Sequence, residues 1–168
     1  MNIIFYCGKS HEDWSPKSTK TGIGGSEEAT IYLAEEFAKL GHKVAVYNQC
    51  GKDAGTYNGV EYKSYLNYMN NACDVLIVWR SPTLHADIIK LSNAKQTYLW
   101  LHDTISEYEV LPIINMVDKV IVLSTYHQNL YPHVPVDKLF VSQNGVNLSQ
   151  FNKKVKRNPK KIIWTSSY

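Results

Sequence analysis

Cysteine is scarce, and its pattern is uninformative for cross-links: Cys7, Cys50 and Cys73 are odd in number and no two stand in a C-x-x-C spacing. That gives neither a disulfide framework nor a zinc site, and the reducing cytosol is the expected compartment. No apolar run approaches the length of a membrane span. Met1 leads directly into Ile3-Ile4-Phe5-Tyr6 without the basic segment of a secretory signal. A soluble, cytoplasmic polypeptide is the expectation. No complete G-x-x-x-x-G-K-S or G-x-x-x-x-G-K-T Walker A loop is present, and neither is an internal repeat or low-complexity tract.

The formal charge of +3 conceals two regions of opposite sign. Lys153, Lys154, Lys156, Arg157, Lys160 and Lys161 supply six of the 18 basic residues from one acid-free stretch, leaving 12 bases against 15 acids elsewhere. A mildly acidic body lacks the electrostatic footprint of a nucleic-acid binder. The basic stretch reads as a solvated linker; a localisation signal or a lipid-facing patch, hence peripheral membrane contact, are the alternatives. Hydrophobic residues at 44% and charged residues at 20% are ordinary globular usage, so a packed core is expected.

What is present is alternation. Turn-bounded apolar runs at 2–7, 43–47, 74–79, 96–101, 119–123 and 138–141 predict strands, with a shorter one at 60–63. Their hydrophobicity is continuous, which is the habit of parallel strands buried on both faces. Helix-compatible segments lie between them at 26–40, 65–72, 83–91, 106–116 and 125–131. In the first, Ala29, Leu33, Phe37 and Leu40 form a stripe, Ser26 or Gly25 is the expected N-cap, and Gly41 the stop. The fold class expected is α/β, a Rossmann-like doubly wound, mostly parallel sheet with helices on both faces, and its ligands belong at the carboxyl ends of the strands.

The turn Gly22-Ile23-Gly24-Gly25-Ser26-Glu27-Glu28 opens that first helix. Glycines there allow close backbone approach to a ligand, and a helix N-terminus favours an anion. The competing reading is a plain tight loop. It is no dinucleotide fingerprint: Glu27 stands at the third glycine position, residues 8–21 separate the turn from the first strand, and Asn48-Gln49 replace the ribose-binding acid. Glu27 and Glu28 themselves occupy the favourable end of the helix dipole, and one of them can accept hydrogen bonds from a sugar or acceptor hydroxyl.

Other polar residues fall where strands end: Gly8, Asn48-Gln49, Arg80, His102-Asp103, Ser124 and Asn144-Gly145 should share one rim. His102 can donate to a substrate oxygen, or serve as a structural cap. Arg80 can bind a carboxylate or phosphate, or form a salt bridge to a neighbouring loop. Tyr57, Tyr62, Tyr65 and Tyr68 make an aromatic platform or, more ordinarily, packing. His127 reads as packing, and His11, His42, His85 and His133 have no metal-ligand spacing.

Taken in order, Trp14-Ser15-Pro16, the Gly22 to Glu27 turn, Leu40-Gly41-His42-Lys43-Val44, Leu101-His102-Asp103, Val122-Leu123-Ser124, Asn144-Gly145-Val146-Asn147 through Phe151, and Trp164-Thr165-Ser166-Ser167-Tyr168 resemble the amino-terminal half of GT-B glycosyltransferases of family 4. The resemblance implies a two-lobed enzyme that transfers sugar from a nucleotide-sugar donor with retention and without a metal or other cofactor; no D-x-D motif is present. It implies residues 1–152 as the acceptor-side lobe, 153–161 as the interlobe linker and 162–168 as the first strand of a carboxyl-terminal lobe, supplied in cis or in trans, without which the fragment is inactive. It assigns His102 to the transferred sugar and the glycine-rich loop to the donor phosphates; with the rim reading added, Gly24, Gly25, Glu27, Arg80, Asp103, Ser124, Asn144 and Gly145 are expected in donor-phosphate or acceptor binding. Asn147 departs from the family's usual aspartate. The rival expectation is a non-catalytic Rossmann-like binding or partner module.

Overall fold

The computed structural model describes residues 1–148, 156 and 158–162. Lys153, Lys154 and Arg157 of the basic stretch and all but Ile162 of the expected strand at 162–168 lie outside the described residues, as does Phe151. Eight strands form one sheet: β1 (Asn2–Gly8), β2 (Lys43–Asn48), β3 (Gly55–Tyr57), β4 (Val60–Ser64), β5 (Cys73–Trp79), β6 (Ala94–Trp100), β7 (Lys119–Val122) and β8 (Leu139–Val141), in the spatial order β3-β4-β2-β1-β5-β6-β7-β8. Every pairing is parallel except β3 with β4. The expected α/β doubly wound architecture is what the chain adopts.

Strand order turns on β1, whose Phe5 lies opposite Val46 of β2 on one side and Ile77 of β5 on the other. The chain proceeds outward from β1 to β2 and β4, then returns to β5 and proceeds the opposite way. Right-handed crossovers in opposite directions put their helices on opposite faces. Accordingly α1 (Gly25–Lys39) sends Ile31 and Ala34 onto Ile3, Phe5, Val46 and Ile77, whereas α2 (Ala86–Lys90) and α3 (Glu107–Val110) send Ile89 and Val110 onto the other face, made by Ile4, Tyr6, Leu76, Val78 and Leu99. The last helix, α4 (Thr125–Gln128), leads into Tyr131 on that second face. Successive strand residues thus feed two cores by their period of two.

Several helices are shorter than the periodicity predicts. The segment 65–72 holds only a 3-10 turn over Tyr65–Asn67, 83–91 condenses to the five residues of α2, and 106–116 divides into α3 and a 3-10 stretch, Leu111–Met116, begun where Pro112 removes an amide donor. The cap of α1 is Gly24 rather than Ser26 or Gly25, and it makes no side-chain cap bond. The helix also sits rotated from the expected stripe. Thr30, Ile31, Ala34 and Glu35 are its buried residues, Ala29, Leu33 and Phe37 pack along the margin, and Leu40 is 72% exposed. One strand was not expected: β3 folds back on β4 through Asn58 and Gly59, both at positive φ (49° and 82°), the signature of a two-residue hairpin.

The rotation of α1 is open to test by urea unfolding. Ile31→Ala is expected to cost about 2–5 kcal/mol, as deletion of a buried side chain does, while Leu40→Ala should stay within about 0.5 kcal/mol. Equal losses would place the apolar stripe where the periodicity puts it.

Candidate functional site

Seven parallel strands aim their carboxyl ends at one rim, and the crevice lies where the winding direction changes, between β1 and β5. The long loop after β1 is pinned there. Asn48, fully buried at the end of β2, donates to the Trp14 carbonyl at 2.7 Å, and the Trp14 amide donates to the Gln49 carbonyl at 3.0 Å. The Gln49 side chain receives the Ser10 amide and donates to Asp13. These two residues therefore serve as loop anchors. Further on, Ser15 caps a short 3-10 helix (Pro16–Lys20) and the chain enters α1 through Gly24.

The result is a cleft of about 400 Å³. Its walls come from the β1 loop (Lys9, Ser10, His11, Glu12, Trp14), the α1 entry (Ile23, Gly24, Glu27), the β5 end (Trp79, Arg80, Ser81, Leu84, His85) and the β6 end (Asp103, Ile105). Four of the expected site residues, Gly24, Glu27, Arg80 and Asp103, meet in it. Glu27 folds back over the helix entry, so that a side chain at position 24 would collide with its carboxylate, and Ser26 donates to that carboxylate at 3.0 Å. Where the motif suggests a vacant cradle for phosphate, Glu27 already sits against the positive end of the helix dipole.

Arg80 links the walls. Its Nε donates to Asp103 Oδ2 at 2.6 Å, its Nη1 lies 3.6 Å from Glu27 Oε1, and its guanidinium covers the Trp79 ring at 4.9 Å. The backbone beneath it is unusual: φ is +65° and the Ser81 amide returns to the Trp79 carbonyl at 2.9 Å, the strained form of the γ-turn. A non-glycine residue at such φ costs about 1–3 kcal/mol and persists where its surroundings over-determine it.

His102 lies behind this cleft and does not line it. Its ring packs on Trp100 at 4.3 Å and approaches Trp79 at 6.1 Å, and its Nε2 is buried without a hydrogen-bond partner among the described residues. Burial first, then the nearby Arg80 charge, lowers its pKa to about 4, with Asp103 opposing. The imidazole is neutral at physiological pH, and one of its polar atoms lacks a partner.

Ser124 is placed elsewhere, as the cap of α4: its Oγ receives the His127 amide at 3.1 Å. His127 is buried and accepts from the Leu123 amide at Nδ1 (3.3 Å), which leaves Nε2 as the protonated nitrogen 3.4 Å from the Tyr131 hydroxyl. Gly25, Asn144 and Gly145 gather on the far side of α1, around a smaller recess of about 120 Å³ that also touches Glu28 and Tyr32. An adjoining cavity of about 450 Å³ runs between α1, Trp100 and residues 142–148. Helix α1 thus separates two groups of the expected site residues: Gly24 and Glu27 face one recess, Gly25 the other.

Some cleft residues escaped the sequence reading. His85 is 8% exposed, meets Tyr6 edge-on at 5.1 Å and covers Gly8 so closely that a Cβ there would collide with its ring; burial lowers its pKa. No local spacing signals that contact. Trp14 and Trp79, with ring centroids 6.1 Å apart, were visible only as a loop motif and a strand end. Cys7 also lines the cleft, but burial pushes its thiol well up and Glu27 adds to the shift, so it is no thiolate nucleophile. No cluster of metal-ligating side chains exists among the described residues, and no helix among them is long and apolar enough to cross a membrane. Comparison of the chain with protein-family models and with curated proteins gave no match.

Burial of His102 has a pH signature. Unfolded, the imidazole takes a proton near 6.5; folded, it refuses one until about 4, so the native state is at full stability above the first value and loses it as pH falls through that window. His85 and His127 shift the same way, through burial. Urea midpoints should therefore fall between about pH 7.5 and about pH 5, and His102→Gln should lose less of its own midpoint over that interval than the parent chain. Identical losses would mean that His102 titrates normally.

Proposed function

We propose that this chain is the acceptor-side lobe of a cytoplasmic, retaining GT-B-type glycosyltransferase that uses a nucleotide-sugar donor. The observation that carries the reading is the meeting of Gly24 and Glu27 from the α1 entry with Arg80 and Asp103 from the ends of β5 and β6, in one cleft at the switch point. Gly24, Glu27 and Asp103 belong to the motifs whose order resembles that family. On this reading the cleft between β1 and β5 receives the acceptor. Glu27 and Asp103, whose carboxylates line it, accept hydrogen bonds from the acceptor's hydroxyls.

The donor lies across the rim, where a second lobe closes over it and excludes water. The Gly25 flank of α1, which lines the separate recess, and the neutral imidazole of His102 are the groups offered to the donor side. A neutral ring suits a hydrogen bond to sugar, and the unpaired Nε2 is a polar atom whose partner arrives with ligand or lobe closure. The segment 144–147 on the other flank of α1 leads toward the interlobe linker.

The test is a transfer assay over a panel of nucleotide-sugars, comparing the chain alone with a form extended through a carboxyl-terminal lobe. Transfer is expected from the extended form and negligible turnover from the chain alone. In the extended form Glu27→Gln should lower kcat/KM by about 10- to 100-fold, the worth of a charge-assisted hydrogen bond, with the urea midpoint of the lobe little changed. Transfer by neither form removes the reading.

A further inference from the structure

An arginine in a cleft is ordinarily an anion receptor, but the charge of Arg80 is already balanced by two carboxylates. Asp103 holds its Nε at 2.6 Å, and Glu27, with a side chain only 15% exposed, stands 3.6 Å from Nη1. The strained backbone and the Trp79 ring fix the guanidinium in that place. Of the other formal charges on the walls, Lys9 has no ionic partner among the described residues and Glu12 offsets it. Among these charged side chains three carboxylates face two cations.

An entering phosphate or carboxylate would approach Arg80 with the carboxylates of Asp103 and Glu27 already beside it. Like charges at such range in a partly desolvated cleft are poorly screened. A hydroxyl meets no such barrier, because carboxylate oxygens with spare lone pairs accept from it. We infer that the cleft takes an uncharged, hydroxyl-rich acceptor and rejects its phosphorylated or carboxylated counterpart. This rests on the transferase reading above and adds the chemical class of the acceptor.

The experiment has a binding arm and a transfer arm. Neutral mono- and disaccharides and their 6-phosphates are titrated into the chain, with tryptophan fluorescence and calorimetry as readouts. The neutral sugar is expected to bind at least about ten-fold more tightly than its phosphate, and Asp103→Asn, which frees Arg80, should narrow that ratio about ten-fold through better phosphate binding. Equal or tighter binding of the phosphate by the parent chain, or binding of no sugar at all, overturns the inference. In the transfer arm, the lobe-extended form is offered the same acceptors. Transfer to a phosphorylated acceptor in preference to the neutral one leaves the transferase reading standing and overturns this one. Transfer to none, with neutral-sugar binding intact, removes the transferase reading and leaves a neutral-sugar site.

Discussion

Parallel strands can be joined only through crossovers, those crossovers are right-handed, and β1 sits where they diverge. Because β1 is paired on both sides, the connection to β2 must carry α1 over one face while the later connections carry α2 and α3 over the other. No helix among the described residues then covers the gap above the carboxyl ends of β1 and β5, and the crevice follows from topology before any side chain is chosen. The side chains decide what the crevice is. Asn48 and Gln49 bring the β1 loop down beside it, Gly24 lets the chain turn into α1 at its edge, and Arg80 and Asp103 close it from the side of β5 and β6.

The electrostatic character of this rim differs from its motif content. Glycines before a helix and an arginine at a strand end, considered separately, both signal an anion. Brought together, each already has a counter-charge within the protein: the helix entry has Glu27, the guanidinium Glu27 and Asp103. His102 adds a neutral polar group set behind the tryptophans. What faces the cleft is a mixed, slightly acidic surface.

The architecture was legible because both of its signals are local. Continuous Val, Ile and Leu runs marked strands buried on two faces, and alternation with helical segments marked parallel pairing. The helix following 64 was misread because apolar and aromatic spacing at 65–72 satisfies a helical stripe, while in the fold Tyr65 and Tyr68 pack beneath the β1 and β2 face through a single 3-10 turn. The hairpin at 58–59 did carry its signal, an Asn-Gly pair, which the parallel pattern overshadowed. At the site, residues at strand ends were found because topology puts every strand end on one rim. Their division among separate recesses was not legible, since it depends on which flank of α1 each loop approaches. Nor was the cover of His85 over Gly8, a contact between residues 77 positions apart in sequence.

Position 80 is under two demands that ordinarily select different residues. The left-handed turn there favours glycine or asparagine, whereas the two carboxylates beside it require a cation. Only the second demand explains an arginine, so the identity of residue 80 in kindred sequences is tied to residues 27 and 103. Where both acids persist, arginine is worth its backbone cost; where they are lost together, the turn is free to revert to glycine. The three positions should drift as one unit over evolutionary time, while the strand that residue 80 follows varies independently.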